Sequence, residues 1–265
     1  MINRGALKAI SLLDEIGLDE ITDIPMDIFV PALGATLIKE PLGKCDGKII
    51  RGTKKTLIKV NANIPYEERM RFAIAHEVGH FLLHEKLEVH NENHNTLNWF
   101  KETEKQAKMG VQEFEANEFA SELLMPRKLC FEECHSVAFS PQLIERLSKR
   151  FKTSITSTVF KYCKLNIHPI LIISIRNGKI EYFCKSEDFR YRIKDLIKLS
   201  PPENSVANEY IEANYDFIYR GIEKQQEIVK STWLNLGNYE KDSTFFEYCI
   251  PTKQYNTIIS IIWEK

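Results

Sequence analysis

The chain has 265 residues, 43% hydrophobic and 28% charged, which is the composition of a globular protein with a substantial buried core. Its formal net charge of −1 excludes a global field that would draw the whole molecule to nucleic acid or to a membrane. The longest apolar runs, ILIISI from Ile170 and IISIIW from Ile258, are far shorter than the roughly 20 residues that cross a bilayer. We therefore expect no membrane span.

Helical periodicity of apolar residues predicts a first helix over residues 6–16, and Pro25 suits the start of a second, short helix. Three β-rich segments separated by turn residues follow: ATLIKEP (35–41), GKIIRG (47–52) and TLIKVN (56–61). Together they predict a small, partly antiparallel sheet.

Two well-marked helices come next. NIPYEERMRFAIAHEVGHFLLHE (63–85) has a proline and two glutamates where a helix begins, and QEFEANEFASELLMP (112–126) predicts a second helix that stops at its proline. The polar connection between them contains His90 and His94, which we interpret as solvated residues on a loop rather than as metal ligands.

The stretch SPQLIERLSKRFKTSITSTVFKYCKL (140–165) predicts a helix, a short turn and a second helix, with Ser140 and Pro141 as the start signal. Six basic residues against one glutamate make contact with DNA conceivable. Lys152 occupies the turn, where glycine is common in DNA-binding helix-turn-helix motifs, and the chain as a whole is not basic. We therefore favour a packing or substrate-docking role over direct DNA binding.

From residue 167 onward the pattern is mainly of the β type. PILIISIRNGKIEYFC (169–184) predicts a hairpin with Asn177 and Gly178 at its turn. Further β-type runs are STWLNLG (231–237), FFEYCIP (245–251) and YNTIISIIWE (255–264), and helical patterns cover 189–199 and 208–227.

Cysteine usage and the N-terminal segment indicate the compartment. Six cysteines are spread thinly along the chain, and the first 20 residues mix acidic residues into their apolar positions, unlike a signal peptide. We therefore expect a cytoplasmic protein with free thiols. Residues 130–135 contain two cysteines and a histidine but lack a second pair of ligands, so a structural role is favoured there over a metal site.

His76 and His80 lie four residues apart in the first well-marked helix, so their imidazoles share one face about 6 Å apart along the axis and can reach one ion. Glu77 points roughly 100° away from His76, which suits a general base beside an activated water. His84 extends the same face but lies about 12 Å along the axis from His76, too far for easy shared ligation, so a structural or supporting role is favoured.

A catalytic zinc site normally has three protein ligands, and the second well-marked helix offers two candidates. Glu113 shares a face with small and apolar residues, whereas Glu115 groups with Glu118 and Glu122 in the arrangement of a solvated charged face. We predict Glu113 as the third ligand and place Glu115 outside the site. Asn117, one turn after Glu113, could orient a ligating histidine through its side-chain oxygen.

The two helices together resemble the ImmA/IrrE family of zinc metallopeptidases, whose pattern joins an AHExGH helix to an E-x-x-x-N-x-x-A-x-x-LLMP helix. The resemblance covers roughly residues 25–165. It implies a gluzincin-like zinc site with His76, His80 and Glu113 as ligands and Glu77 as the catalytic base. It also implies, as in other zincins, a substrate held as an added strand at a sheet edge, for which TLIKVN is our candidate.

With this resemblance, the predicted elements give an α+β fold in three parts. These are a zincin-like metallopeptidase domain over 1–128, a helix-turn-helix-like helical segment over 129–166, and a C-terminal α+β domain with a regulatory or structural role over 167–265. Some longer family members carry such extensions.

The function implied by the resemblance is that of a zinc-dependent endopeptidase. Characterised family members cleave a helix-turn-helix transcriptional repressor and so act as anti-repressors that switch on stress-response or mobile-element genes. The expected partner is therefore such a repressor protein. Two alternatives remain open: an anti-repressor that is stabilised by zinc and works by binding alone, and a DNA-binding regulator that uses residues 141–165.

Overall fold

The computed structural model describes residues 3–85 and 110–265, and within them it is an α+β protein with eight α-helices and two β-sheets, as the sequence predicts. His90 and His94 lie outside the described residues. Contacts divide the chain into two units, one formed by Met1–His135 and Arg146–Thr158, the other by Ser136–Glu145 and Val159–Lys265. The three-part division with boundaries at 128 and 166 stays a prediction.

The N-terminal helices begin and end where their sequence signals lie. Helix α1 spans Arg4–Ile16, is capped by the side chain of Asn3, and ends at Gly17, whose φ of 70° is in the left-handed region that favours glycine. Helix α2 spans Met26–Ala32 and follows Pro25. Periodicity and the position of the proline predict both helices.

Strands β1 (Ala35–Glu40), β2 (Gly47–Arg51) and β3 (Thr56–Asn61) form a sheet in the order β1-β3-β2. Strand β1 is parallel to β3 and β2 is antiparallel to it, which confirms the small mixed sheet. The expectation that TLIKVN is an edge strand is wrong, because β3 lies between its two neighbours. Its fully buried Ile58 and Val60 belong to the core, which suits a central strand.

Helices α3 (Glu67–Leu83), α4 (Val111–Leu124) and α5 (Arg127–Cys134) follow the sheet, and α4 packs against both α1 and α3. The approach of α3 to α4 depends on Gly79. A Cβ atom at this position would lie 3.0 Å from the Cα of Ala116 and 3.1 Å from the Cδ1 of Phe119. The lack of a side chain therefore lets the two helices that carry the predicted site lie close together.

Helices α6 (Pro141–Phe151) and α7 (Ile155–Leu165) confirm the predicted helix, turn and helix. The hydroxyl oxygen of Ser140 accepts a hydrogen bond from the amide of Leu143 at 3.2 Å, as expected of a helix start signal. Lys152 at the turn has a φ of 51°, in the left-handed region where glycine is favoured.

The second sheet is antiparallel throughout, with the order β5-β4-β8-β7-β6. Strands β4 and β5 form the predicted hairpin, in which Asn177 and Gly178 have φ values of 48° and 70°. Helix α8 (Val206–Glu212) packs against this sheet. The strands are β4 (Leu171–Arg176), β5 (Lys179–Lys185), β6 (Gln225–Val229), β7 (Thr244–Thr252) and β8 (Thr257–Glu264).

Three predictions for this region are wrong. Residues 189–199 form no helix, and the pattern over 208–227 yields only the end of α8, the 3-10 turn Gly221–Lys224 and the start of β6. The run STWLNLG overlaps the 3-10 turn Lys230–Thr232 instead of forming a strand. Phe189, Trp233 and Leu234 are nevertheless buried in the core of the second sheet, so tertiary packing rather than local periodicity decides these conformations.

A fully buried carboxylate, that of Glu247 on β7, ties α8 to the second sheet. It accepts hydrogen bonds from the amides of Val206 (2.9 Å) and Ala207 (3.1 Å) in the first turn of α8, and from the indole of Trp233 (3.1 Å). Ser260 donates a further bond of 2.7 Å. Burial raises the pKa of Glu247 above its usual range, although these hydrogen bonds act in the opposite direction.

We expect Glu247→Leu to destabilise the protein by about 3 kcal/mol or more, because three buried N–H donors would lose their acceptor. Urea unfolding followed by circular dichroism measures this change. Glu227→Leu is the matched control, since Glu227 is an exposed β6 residue in a surface ion pair with Lys265, which contributes little. Equal losses of stability in both variants would contradict the role given to Glu247.

None of the helices in the two described ranges combines the length and the apolar character that crossing a bilayer requires.

Candidate metal centre

The side chains of His76, His80 and Glu113 converge on one point. The Nε2 atoms of the two histidines are 3.0 Å apart, and the carboxylate of Glu113 lies 3.2 Å from the first and 3.1 Å from the second. Ligands of a tetrahedral zinc ion with bonds of about 2.0–2.1 Å are separated by about 3.3 Å. The donor types and their separations therefore match a site for a divalent metal, and this buried group could hold one.

The local fold explains why these donors meet. Helix α3 presents His76 and His80 on one face, one turn apart, and both side chains are buried. Glu113 lies in the first turn of α4, where the partial positive charge of a helix N-terminus stabilises a carboxylate. The close contact at Gly79 brings the two helices together so that the three side chains reach each other.

The protonation states of these groups also suit metal ligation. Burial acts to raise the pKa of Glu113, but hydrogen bonds donated by Nε2 of His76 and His80 outweigh it and hold this pKa well below its usual range. Metal binding would displace the protons of these two nitrogens, because their lone pairs are the ligands. Burial lowers the pKa of His80, which favours its neutral form. A neutral imidazole beside an ionised carboxylate is the state in which both groups act as ligands.

Asn117 lies where the sequence places it, one turn after Glu113 and on the same side of α4. Its Oδ1 atom is 2.8 Å from Nδ1 of His76, and both side chains are buried. With Nε2 of His76 directed at the cluster, Nδ1 is the nitrogen that can donate to this oxygen. The contact is the one expected of an orienting residue, and that role stays a prediction.

Glu77 is almost fully buried and faces a glycine of strand β2. A Cβ atom at Gly47 would lie 2.9 Å from Oε1 of Glu77 and 3.0 Å from its Cγ, so this glycine makes room for the carboxylate. The neighbouring Asp46 accepts two hydrogen bonds from Arg69 of α3, at 2.8 and 2.9 Å, which hold the start of β2 against that helix.

Sequence reasoning missed Gly47, since the Asp46-Gly47 pair by itself indicates only a turn. The available signal was a glycine at the edge of a β-type run, which often marks close approach of another group. Nothing in the sequence showed that the approaching group is Glu77.

The placement of Glu115 on a solvated charged face is wrong. Glu115 is buried, lies 2.9 Å from Nε2 of His84 and accepts a hydrogen bond from Arg4 at 3.0 Å. Glu122 is buried as well and accepts a hydrogen bond from the amide of Arg127 at 2.9 Å. Helical angles show which residues share a face, but several sides of α4 are covered and the buried carboxylates are paired.

The cysteines of residues 130–135 do not belong to the metal cluster. Cys130 and Cys134 are buried, and burial raises the pKa of Cys134 to about 11, which disfavours the thiolate form that binds metals. Within the described ranges, the group of three or more metal-ligating side chains that the structure brings together is His76, His80 and Glu113.

The fold and the convergent His/His/Glu set define a metallopeptidase-like domain. Residues 31–161 match the model of the family described as IrrE N-terminal-like domain, peptidase family M78. This match confirms the resemblance to the ImmA/IrrE family that the two helices carry.

Comparison with known proteins adds evidence on the fold. No curated protein matches the chain. Among solved structures, a Mycobacterium tuberculosis transcriptional regulator is similar, with a TM-score of 0.59 at 12% sequence identity. The match covers 99% of this chain and 77% of that one. At this identity the likeness shows a shared fold and carries no conclusion about the chemistry of the site.

Proposed function

We propose that this protein is a zinc-dependent endopeptidase that hydrolyses a peptide bond in a protein substrate. The observation that carries the proposal is the convergence of His76, His80 and Glu113, together with the buried Glu77 on the same helix as the two histidines. Several divalent ions suit two imidazoles and a carboxylate, and the family resemblance favours zinc among them.

The three ligands, Glu77 and Asn117 have different roles in the proposed hydrolysis. A zinc ion held by the three ligands would supply Lewis-acid activation of water and of the scissile carbonyl. Glu77 accepts the proton of the attacking water and returns it to the leaving amine. Asn117 holds the ring of His76 in the orientation that directs Nε2 at the cluster.

Strand β2 replaces β3 as the candidate docking edge for the substrate. In the described sheet β2 pairs with β3 on one side, and its Gly47 lies against Glu77. An extended peptide added along the other side of β2 would run past the catalytic carboxylate. The main chain would then supply most of the binding, and side chains near the site would select the sequence.

The regulatory part of the proposal rests on the family resemblance. We propose that the substrate is a helix-turn-helix transcriptional repressor, and that its cleavage in the cytoplasm switches on stress-response or mobile-element genes. The similar solved structure is that of a transcriptional regulator, but the likeness supports the fold alone.

The test is to express the wild-type protein and the Glu77→Gln variant in the same host with a candidate repressor, and to identify new protein termini by mass spectrometry. Fragments of the repressor that depend on Glu77 would support the proposal. Release of the repressor from DNA without fragments would favour the anti-repressor that works by binding alone. If neither fragments of the repressor nor its release from DNA is observed, the repressor is excluded as the substrate.

Ion pairs within the first unit argue against the DNA-binding alternative. Arg150 donates two hydrogen bonds to Glu20, at 2.5 and 2.7 Å, and Lys152 contacts Asp23 at 2.9 Å. The pKa of Glu20 is lowered, chiefly by its hydrogen bond with Arg150. These two basic side chains already pair with carboxylates of the same unit, which favours a packing role for this part of residues 141–165.

We expect Gly47→Ala to lower peptide hydrolysis by about tenfold to hundredfold while zinc stays bound, because the added methyl group displaces the carboxylate of Glu77. Hydrolysis rates and zinc content of the purified variant measure this result. Lys44→Ala, a change at an exposed position before β2, is the control. Full activity in Gly47→Ala would show that the contact with Glu77 has no bearing on catalysis.

A further inference from the structure

A series of contacts leads from His80 to two further buried side chains, those of His84 and Glu115, which are not among the three predicted ligands. Nδ1 of His80 is 3.0 Å from Nδ1 of His84, and Nε2 of His84 is 2.9 Å from Oε2 of Glu115. We propose that these residues form a hydrogen-bonded chain that positions His80 as a metal ligand. This inference rests on the metal centre of the proposed function.

The location of each proton follows from the contacts. Nε2 of His80 faces the cluster and must keep its lone pair for a metal, so its Nδ1 carries the proton and donates to Nδ1 of His84. His84 then carries its single proton on Nε2, which donates to the carboxylate of Glu115. Each contact in the chain has one donor and one acceptor, so the arrangement is complete only with these tautomers.

Glu115 is held in place as the acceptor end of the chain. Arg4 of α1 donates to the same oxygen, Oε2, at 3.0 Å, so the carboxylate is paired with a guanidinium as well as with His84. Its side chain is 11% exposed and that of His84 is 2% exposed. Hydrogen bonds in such poorly solvated surroundings are strong, and water competes little for them.

The backbone around His84 is held as firmly as its ring. Nη2 of Arg51 in β2 lies within hydrogen-bond distance of the carbonyl oxygens of His80, Phe81 and His84, at 3.0, 2.9 and 2.6 Å. These carbonyls lie at the end of α3, where that of His80 also accepts a hydrogen bond from the amide of His84 at 3.1 Å. Arg4 donates to the carbonyl of Leu83 at 3.1 Å. Both ends of the contact between His80 and His84 are therefore fixed.

The same geometry argues against His84 or Glu115 as a direct ligand. Both ring nitrogens of His84 are engaged, one with His80 and the other with Glu115, and neither belongs to the convergent group. The two histidines therefore have different hydrogen-bond partners. His76 contacts a neutral amide, that of Asn117, whereas His80 contacts His84, which in turn contacts the carboxylate of Glu115. Such a carboxylate at the end of a chain makes the ligating imidazole a stronger donor.

The first test is the affinity of the full-length protein for zinc, measured by competition with a chelating dye. We expect His84→Phe and Glu115→Ala to weaken binding by about 10- to 100-fold. Glu115→Gln should lose much less, because its amide oxygen still accepts from His84. Glu118→Ala, a change on the same helix outside the chain, is the control and should bind as wild type does.

Combining the changes separates positioning from general damage. In the double variant His84→Phe/Glu115→Ala, the loss should be close to that of either single change, because both interrupt one chain. Independent additive losses would overturn the proposal. So would wild-type affinity in the single variants, provided that the wild-type protein binds zinc. Absence of zinc binding in the wild-type protein would instead overturn the proposed function, and this inference with it.

A second measurement needs no variant. Long-range proton–nitrogen NMR spectra of the zinc-loaded wild-type protein report which ring nitrogen of each histidine carries a proton. We expect the proton on Nδ1 of His80 and on Nε2 of His84. A proton on Nδ1 of His84, or a charged His84 ring, would overturn the chain as written even if every variant fails to fold.

Discussion

Glu77→Gln is expected to lower peptide hydrolysis by about 10²- to 10⁴-fold and to leave zinc binding unchanged. Glu77 is not one of the three convergent donors, and glutamine has nearly the same shape in the space left by Gly47. The amide nitrogen cannot accept the proton of the attacking water, so the chemical step fails while the site stays assembled. Hydrolysis of the identified substrate and zinc content together measure the effect.

The matched control is Glu68→Gln, the same change at an exposed position in the first turn of α3. It should retain full activity, zinc and stability. Cleavage that continues at the wild-type rate in Glu77→Gln would reject Glu77 as the general base. Loss of zinc in this variant would show that Glu77 supports the metal directly, contrary to the arrangement proposed here.

The parts of the fold that the sequence predicts are those that local physics decides. A spacing of four residues places His76 and His80 on one face of any α-helix, and the start signals of α3 and α6 depend on nearby prolines and polar residues. Prediction of the contacts between His76, His80 and Glu113 required one further step, which was the choice between Glu113 and Glu115 by their angle around the helix. That choice is consistent with the contacts of Glu113, which lies within 3.2 Å of both histidines.

The wrong predictions about the first unit concern which other segments pack against a given helix or pair with a given strand. Helical angles separate Glu113 from Glu115 but do not reveal that α1 and the end of α3 cover the second face, so the sequence pattern assigns Glu115 to solvent. It also assigns β3 to an edge, because it does not show that β1 pairs with β3 instead of β2. Pairings of distant segments leave no local pattern, and this limits the prediction from one sequence.

The same limit explains what the sequence indicates about His84. Its distance along the helix excludes it from shared ligation and favours a supporting role, but nothing local identifies its partners. Those partners are Glu115, 31 residues further along the chain, and His80. Once α3 and α4 pack together at Gly79, His84 contacts Glu115 of α4 as well as His80, which is a predicted ligand.

The second large effect is expected for Glu113→Ala, which should weaken zinc binding by more than about 100-fold and abolish hydrolysis. Loss of a residue that is hydrogen-bonded to a metal ligand lowers metal affinity by about 10- to 100-fold, and removal of a ligand itself should lower the affinity further. Competition with a chelating dye measures the affinity, and circular dichroism of the metal-free protein verifies that the variant folds.

Three glutamates of α4 give this measurement its controls, because each has a different relation to the metal. Glu113 contacts both histidines, Glu115 reaches His80 through His84, and Glu118 accepts a hydrogen bond from Asn3 at 2.6 Å. The loss of affinity on change to alanine should therefore fall in the order Glu113, Glu115, Glu118. Equal losses at Glu113 and Glu115 would reject the assignment of Glu113 as the ligand, since only a direct donor should exceed the effect of a supporting residue.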